Sequence, residues 1–304
     1  MGKANNPLLE RLFTWLQYSL PQHTLSRLML HATRIEHEGF KNLGIRQFLK
    51  YYNVDLEEAQ LSDPYAYPSF NAFFTRPLRD GARRIASERG AVVCPADGTI
   101  SEAGTIAGKR LLQAKGISYS LKSLMAGDRG LSARFTNGEF ITIYLAPHNY
   151  HRVHMPYEGT LRSMVYLPGR LYSVNAGTTR NLRGIFVRNE RVICLFETKL
   201  GPMAVILVGA LFVGSIDTVC AGTVAPGKPR KPQRWVYPTD GEGCIQLARG
   251  AELGRFNIGS TVIVLFAENR VRWEGLETGA TVRVAQRIGT RLESVPQPPA
   301  TERT

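Results

Sequence analysis

The chain has 304 residues, of which 43% are hydrophobic, and its 38 Lys and Arg against 25 Asp and Glu give a formal charge of +13 at pH 7. This apolar content is enough for a folded core and excludes a disordered chain. The positive excess fits three kinds of partner: nucleic acid, an anionic membrane surface or a phosphate-bearing substrate. The four cysteines lie far apart without a CxxC pair, which indicates neither a zinc site nor a disulfide framework.

Residues 1–60 are predicted to form amphipathic helices. The first has an apolar stripe at helical spacing and a polar side of Glu10, Arg11, Thr14 and Gln17. The stripe consists of Leu8, Leu9, Leu12, Phe13, Leu16 and Leu20, with Trp15 beside it. Pro21 ends this helix; a second follows over residues 25–35 and a third over 45–52. Such helices either lie in a membrane interface or pack their apolar faces on the core, and the pattern alone leaves both open.

The remaining chain is predicted to be rich in β-structure. A proline-punctuated connector at 62–80 precedes short β-branched and aromatic runs, for example residues 140–145, 192–196 and 261–266. The apolar run 200–216 favours two buried strands joined near Gly209 over a membrane span, because Pro202 and three glycines interrupt it. We therefore expect an α+β fold, with amphipathic helices in 1–60, a mainly antiparallel β-rich domain in 61–295 and a flexible tail in 296–304.

Three histidines, His148, His151 and His154, fall within seven residues. If the segment 151–154 is extended, the rings of His151 and His154 point to opposite faces, whereas a turn would bring them together. The run lacks a carboxylate and is not the HExxH of zinc hydrolases, so no metal site is predicted. Acid–base chemistry near neutral pH is the functional interpretation, and ordinary structural histidines are the alternative.

Two further features have both a plain and a chemical interpretation. Asp97, in CPADGTI, is either a turn aspartate or a buried carboxylate that orients an imidazole. The pairs Gly214-Ser215 and Gly259-Ser260 follow apolar runs and are either ordinary turns or sites where a glycine carbonyl is open to attack by the next hydroxyl. Neither pair lies in a GxSxG nucleophile elbow.

Taken in order, these segments resemble one family. PADGTI at 95–100, YHRVHMP at 150–156 and RFNIGSTVIVLF at 255–266 occur in the sequence and approximate spacing typical of bacterial phosphatidylserine decarboxylases of the pyruvoyl-dependent, membrane-associated type. The resemblance continues through FNAFFTRPLRD at 70–80 and VGSIDTVCAGTV at 213–224, and covers about residues 10–290. It makes the β-rich segment 61–295 the expected catalytic domain.

The resemblance implies self-cleavage between Gly259 and Ser260, giving a large β chain of residues 1–259 and a small α chain of residues 260–304. Asp97, His154 and Ser260 match the processing triad, and Ser260 becomes a covalent pyruvoyl group that serves as the electron sink for decarboxylation. His151 matches the proton donor for decarboxylation, and Ser173 matches a serine near the lipid head group. Ile258 stands where the family has Leu, beside the bond to be cut.

The implied partners are phosphatidylserine, an anionic membrane surface on the cytoplasmic side of the cell membrane, where the protein is peripheral, and a second copy in a homodimer. The basic run 228–234 either faces anionic lipid or is a solvated loop. Two alternatives from other classes stay open: a Ser-His-Asp hydrolase that uses Ser260 without cleavage, and a nucleic-acid-binding protein. The second lacks a recognised binding motif, so no nucleic-acid partner is predicted.

Overall fold

The N-terminal helices form where their apolar spacing predicts them. The computed structural model describes residues 7–114, 116–211, 215–225, 230–257 and 259–292. Three helices open it, α1 Pro7–Ser19, α2 Gln22–Thr33 and α3 Glu38–Tyr51. Pro21 separates the first two, since it lacks the N–H that would continue α1. The predicted tail 296–304, Gly214 and Ile258 lie outside the described residues.

Five short helices follow, most of them begun by a polar cap. Ser69, for example, accepts a hydrogen bond from the Ala72 amide at the start of α4. A 3₁₀ turn at Pro64–Ala66 lies in the proline-rich connector. The helices are α4 Phe70–Phe74, α5 Leu121–Leu124, α6 Arg129–Ala133, α7 Ala176–Asn181 and α8 Ile185–Arg188.

Eighteen strands are found in the described part of the chain. They are β1 Ala91–Val93, β2 Gly98–Thr105, β3 Arg110–Ala114, β4 Ile117–Ser120, β5 Glu139–Leu145, β6 Arg152–His154, β7 Gly159–Leu167, β8 Arg191–Thr198, β9 Gly201–Val208, β10 Ile216–Thr218, β11 Gly222–Ala225, β12 Gln233–Val236, β13 Gln246–Leu247, β14 Glu252–Phe256, β15 Ser260–Phe266, β16 Val271–Trp273, β17 Thr281–Val282 and β18 Arg287–Arg291.

A nine-stranded sheet forms the centre, in the order β12-β7-β8-β9-β15-β5-β2-β17, with β13 added beside β7. A four-stranded sheet has the order β11-β10-β14-β6, a three-stranded one β1-β18-β16, and β3 pairs with β4. Every pairing between these named strands is antiparallel. The α+β prediction is confirmed.

The first half of the apolar run 200–216 forms a buried strand, as predicted, whereas the described residues of its second half join a strand only at Ile216. Its first part is β9, which lies between β8 and β15 in the central sheet. The run ends where β10 begins, and β10 belongs to the four-stranded sheet instead. Among the described residues, no helix combines the length and hydropathy needed to cross a bilayer.

Helix α1 packs on the protein through its polar side. Thr14 and Gln17 are buried, while Leu8, Leu12 and Trp15 are 72%, 57% and 73% exposed. Packing of the α1 apolar stripe on the core, one of the two alternatives left by the sequence, is therefore wrong. The apolar face of α1 is therefore exposed on the surface of the protein.

Candidate active site

The Gly259–Ser260 bond lies where the chain passes from the four-stranded sheet to the central one. Strand β14 ends at Phe256 and β15 begins at Ser260. Ser260 pairs with Leu145 of β5, and all seven residues of β15 are buried. Its hydroxyl is buried and has no hydrogen-bond partner among the residues that the structure describes. A buried hydroxyl without a partner is unfavourable in a folded protein, which marks this position as unusual.

The approach to this bond is fixed by Asn257. Its side-chain Nδ2 donates to the Ser215 hydroxyl, and its backbone N–H donates to the Ser215 carbonyl at 3.0 Å. Its own carbonyl accepts a hydrogen bond from Asn71 Nδ2 at 3.1 Å. Asn257 is thus held from both sides, two residues before Gly259. Ser215, of the other Gly-Ser pair, acts here as a structural partner.

Gly259 and Ser260 open onto a cavity of about 320 Å³. The wall is mostly aromatic and aliphatic and comes from α2, α3, α4 and the ends of strands in the central sheet. Its lining residues are Met29, Phe48, Tyr52, Phe70, Phe74, Tyr144, Leu145, Pro147, Ser173, Val174, Ala210 and Leu211. We call it the Ser260 cavity. An apolar cavity with a few polar groups suits a ligand with a polar head and hydrocarbon chains.

Ser173 lines the Ser260 cavity and is held from outside by α1. The Ser173 amide donates to Gln17 Oε1 at 2.7 Å, and the Leu171 amide donates to Gln22 Oε1 at 2.9 Å. Gln17 also reaches Thr178 Oγ1 at 3.3 Å. The buried polar sides of the first two helices therefore position the loop that carries Ser173.

His151 lies directly behind the wall of this cavity. Its ring is fully buried and stacks on Phe74 with 4.1 Å between centroids. The Pro147 carbonyl lies 3.2 Å from His151 Nε2 and only accepts hydrogen bonds, so Nε2 carries the proton and Nδ1 presents a lone pair that has no partner. Desolvation lowers the pKa of His151 to about 3. The ring is therefore neutral at physiological pH.

His154 ends β6, on the edge of the four-stranded sheet. Its Nδ1 lies 2.7 Å from the Gly250 carbonyl, which fixes the proton on Nδ1. Nε2 is then an acceptor and receives the Tyr150 hydroxyl at 3.0 Å. Desolvation by burial lowers the pKa of His154, which favours the neutral ring.

Asp97 is buried and paired with arginine. Arg83 makes two hydrogen bonds to its carboxylate, and the Val284 amide donates to Asp97 Oδ1 at 2.8 Å. Arg83 also binds Glu58 at 2.7 Å. Although desolvation opposes it, the hydrogen bonds to Asp97 and Glu58 raise the pKa of Arg83. The guanidinium also lies 5.9 Å from the centre of the Tyr150 ring.

The structure brings Gly259, Ser260 and Ser173 to one cavity, with His151 behind its wall. Asp97 and Tyr150 line a second, smaller cavity of about 140 Å³ with the exposed His148. Within the described part of the chain, no hydrogen bond joins Asp97, His154 and Ser260 to one another. In this arrangement the Gly250 carbonyl orients the His154 ring, and Arg83 forms an ion pair with Asp97.

Comparison with known proteins shows the family to which the chain belongs. The model of the family described as phosphatidylserine decarboxylase matches residues 70–290, and a second model, described as PSD, matches residues 12–53. The chain belongs to the phosphatidylserine decarboxylase family. The phosphatidylserine decarboxylase proenzyme of Methylococcus capsulatus strain Bath is 51% identical over 281 residues, 92% of this chain and 96% of that protein. That of Pseudomonas aeruginosa strain LESB58 is 53% identical over 286 residues, 94% and 99% respectively.

Within this phosphatidylserine decarboxylase chain, sequence reasoning missed several groups around the site. Asn257 and Tyr150 lie inside the motifs that carry the resemblance, RFNIGST and YHRVHMP, but no role was given to them. Arg83, Gln17 and Gln22 had no signal beyond being polar. The role of each of these residues depends on a hydrogen bond that only the folded structure shows.

Proposed function

We propose that this chain is a proenzyme that cleaves itself between Gly259 and Ser260 and then converts phosphatidylserine to phosphatidylethanolamine and carbon dioxide. The observation that supports this most directly is the Ser260 hydroxyl. It is buried without a partner, follows a glycine and faces an apolar cavity. Because no hydrogen bond to a described residue holds this hydroxyl elsewhere, it is free to approach the carbonyl carbon of Gly259, the residue directly before it.

The proposed cleavage uses only groups of the chain. Ser260 Oγ attacks the Gly259 carbonyl carbon while His154 takes the hydroxyl proton, and the C–N bond breaks as the amide nitrogen gains a proton. The resulting ester breaks when the Cα proton of residue 260 is removed and the Gly259 carboxylate leaves from Cβ. Water then replaces the nitrogen of the dehydroalanine, ammonia is released, and a pyruvoyl group stays at the start of the small chain.

In this scheme Asp97 supplies negative charge near the imidazolium that forms. Two connections support the assignment: Arg83 lies against both Asp97 and the Tyr150 ring, and Tyr150 is bonded to His154. For His154 Nε2 to reach the Ser260 proton, it has to give up the Tyr150 hydroxyl. Processing therefore includes a local rearrangement of the YHRVH segment.

The position fits a pyruvoyl group. Residue 260 is anchored by its pairing with Leu145, its side-chain oxygen has no competing partner, and cavity space lies beside it. When present, this group accepts the electron pair left behind as carbon dioxide departs. His151, behind Phe74 and Pro147, is proposed to relay the proton that replaces carbon dioxide, since a neutral imidazole can take up one proton at Nδ1 as it gives up the one on Nε2. Ser173 is proposed to bind the head group, and the aromatic wall excludes water from both.

The protein is further proposed to be peripheral on the cytoplasmic side of the cell membrane. The outward apolar stripe of α1 supports this, since Leu8, Leu12 and Trp15 are exposed beside basic residues such as Arg11. The homodimer implied by the family resemblance is part of the same proposal, and sedimentation of the purified protein tests it.

A denaturing mass spectrum of the purified protein tests the proposal. We expect two chains, residues 1–259 and 260–304, the smaller with a pyruvoyl in place of its first residue. Ser260→Ala should give one intact chain without decarboxylase activity. Thr261→Val is the matched control, because the Thr261 hydroxyl is equally buried and also lacks a partner; it should still be cut. Full decarboxylase activity in an uncut chain would overturn the proposal.

A further inference from the structure

A second, strongly basic pocket lies on the other side of the loop that carries Ser173. It has a volume of about 730 Å³ and is open to solvent. Its lining includes Tyr18 of α1, His23 of α2, Arg170 and Tyr172 of the loop, Arg188 of α8 and Arg230. We call it the arginine pocket. It shares no lining residue with the Ser260 cavity.

The positive charge of the arginine pocket is not neutralised by ion pairs. Arg170, Arg188 and Arg230 are exposed, and in the described part of the chain none of them forms a salt bridge. Arg230 donates to His23 Nε2 at 2.8 Å and to the Gly169 carbonyl at 3.1 Å, and Arg188 donates to the Tyr18 hydroxyl at 3.2 Å. All three acceptors are neutral. Two are a carbonyl and a hydroxyl oxygen, and the His23 ring nitrogen carries no proton because it accepts a hydrogen bond from arginine.

The carboxyl group of Glu190 interacts electrostatically with Arg230. Glu190 is buried and binds the Tyr166 hydroxyl, and desolvation raises the pKa of Glu190. At the pocket itself, desolvation and the charges of Arg230, Arg170 and Arg27 lower the pKa of His23. The arginine pocket is therefore a region of positive potential held in a partly desolvated concavity, where an anion is bound more strongly than on a flat surface.

The base of the pocket is rigid. A Cβ on Gly169 would lie 2.5 Å from the Arg188 carbonyl oxygen, so the loop is pressed directly onto the end of α8. The Arg170 amide donates to the Arg188 carbonyl at 2.9 Å, and the Glu190 amide donates to the Arg170 carbonyl at 2.8 Å. The backbone segments that carry Arg170 and Arg188 are thus fixed side by side, which lowers the backbone entropy lost when an anion binds there.

The location identifies the source of the anion. Tyr18 lines the pocket and is on α1, whose apolar stripe faces outward, and the Tyr18 ring also packs on Tyr172 with 5.2 Å between centroids. Leu28 of α2, 62% exposed, is five residues from His23. The arginine pocket therefore borders the surface proposed to contact the membrane, where lipid phosphates are the available anions.

We propose that the arginine pocket binds the phosphate of an anionic phospholipid that is distinct from the lipid being decarboxylated. The proposal rests on the membrane association proposed above and deepens it. The pocket and the Ser260 cavity have no lining residue in common, so the proposal places this phosphate outside the cavity in which decarboxylation is proposed. The bound lipid would hold α1, α2 and the Ser173 loop together at the surface of the bilayer.

Vesicle co-flotation with the full-length protein tests this without substrate. The vesicles are phosphatidylcholine alone, or phosphatidylcholine with about a third phosphatidylglycerol, in about 0.1 M salt, where charges act over about 10 Å. The test protein is Arg170→Gln with Arg230→Gln. Its matched control is Arg129→Gln with Arg272→Gln, two exposed arginines outside the pocket, so both variants lose the same charge. Arg188 is left in place because it holds Tyr18.

On phosphatidylglycerol vesicles we expect the pocket variant to bind about tenfold more weakly and the control to change by less than about twofold. On phosphatidylcholine alone the variants should match the wild type. Arg170→Lys with Arg230→Lys keeps the charge and should recover most of the binding, whereas a purely structural role of the guanidinium groups would give no recovery. Soluble glycerol 3-phosphate should not compete, since it lacks the membrane part of the ligand.

Other results overturn the proposal. Equal losses in the pocket variant and the control mean that diffuse charge is responsible, and a loss on phosphatidylcholine alone means that the substitutions disturbed the helices. Competition by glycerol 3-phosphate assigns the pocket to a soluble phosphate. Wild-type protein that binds neither vesicle refutes the proposed membrane association itself, which distinguishes that failure from a failure of the pocket.

Discussion

At the level of single residues, Gly259 allows a sharp test of the proposed cleavage. A Cβ placed there would meet no atom closer than the Leu145 carbonyl oxygen at 3.8 Å, and the backbone is not in the left-handed region. Gly259→Ala should therefore fold, with stability changed by no more than about 1 kcal/mol. The methyl group crowds the carbonyl that Ser260 attacks, so we expect cleavage at least about tenfold slower, equivalent to about 1.4 kcal/mol on the barrier.

The comparison for Gly259→Ala is Gly98→Ala. A Cβ on Gly98 would lie 2.2 Å from the Tyr144 carbonyl oxygen, so this variant should fail to fold. Circular dichroism reports folding, and a denaturing gel of protein made by cell-free translation reports cleavage. A folded Gly259→Ala that is cut as fast as the wild type would show that the glycine is not needed for the attack.

His154 sets the pH dependence of cleavage if it is the base. It accepts the Ser260 proton only when neutral, and desolvation lowers its pKa below the ordinary 6.5. The neutral fraction is then lost only as pH falls through that lowered pKa. We expect a constant cleavage rate from about pH 8 to 6.5 and a decline only at more acidic pH.

Tyr150→Phe provides the control for the pH profile. The Tyr150 hydroxyl donates to the neutral form of His154, so its removal should raise the pKa of His154 and move the acid limb to higher pH. The time course of precursor cleavage in buffers of different pH measures both proteins. A wild-type limb at or above pH 6.5, or one that Tyr150→Phe does not move, would exclude this histidine as the base.

The sequence motifs point to candidate site residues, which stay a prediction, but not to the partners of those residues. The motifs indicated Asp97, His151, His154 and Ser260, and the extended geometry of Arg152–His154 agrees with one alternative for the two rings. The pairing of Asp97 with Arg83 could not be predicted, because no local periodicity relates residue 83 to residue 97. Nor could the close approach of Gly98 to the Tyr144 carbonyl be predicted, because Tyr144 lies on a strand distant in the sequence.

At the level of elements, two nearby positions on α1, Trp15 and Gln17, allow the contact of this helix with the protein to be tested separately from membrane binding. Trp15 is 73% exposed, whereas Gln17 is fully buried and accepts the Ser173 amide. Trp15→Gln should change stability by no more than about 0.5 kcal/mol. It should weaken vesicle binding by about tenfold or more, because a large apolar side chain no longer enters the interface.

Gln17→Ala should have the opposite profile. It leaves the partly buried Ser173 amide without its acceptor, which costs about 1 kcal/mol, while the apolar stripe is unchanged. We expect faster hydrogen exchange at Ser173, lower decarboxylase activity and unchanged vesicle binding. Equal effects of the two substitutions on vesicle binding would mean that α1 has no separate membrane-facing side.

Periodicity predicted the first two helices and the main buried strands to within a few residues, whereas α3 begins seven residues before its predicted start at 45. It could not predict which side of α1 faces the protein, since an amphipathic pattern has the same period in either orientation. The structure decides this through Gln17 and Gln22, whose amides bind backbone groups of the 171–173 loop. Likewise, the apolar run 200–216 predicted strands but not that β9 and β10 belong to different sheets.

At the level of the whole molecule, the proposed cut falls at the start of a central strand. Strand β15 pairs with β5 along its length and with β9 from Thr261 onward. The small chain also contributes β16, β17 and β18, which pair with strands of the large chain or with each other. Cleavage should therefore leave one folded body whose two chains separate only on unfolding.

This arrangement predicts a difference in thermal unfolding between the cut protein and the Ser260→Ala precursor. Unfolding of the cut protein releases two chains, so each tenfold dilution should lower its stability by about 1.4 kcal/mol relative to the precursor. Over a hundredfold range of concentration, we expect its melting temperature to fall by several degrees more than that of the precursor. A homodimer adds the same dependence to both proteins and leaves the difference intact. Parallel melting curves at all concentrations would mean that the chain had not been cut, or that the small chain does not leave when the sheet unfolds.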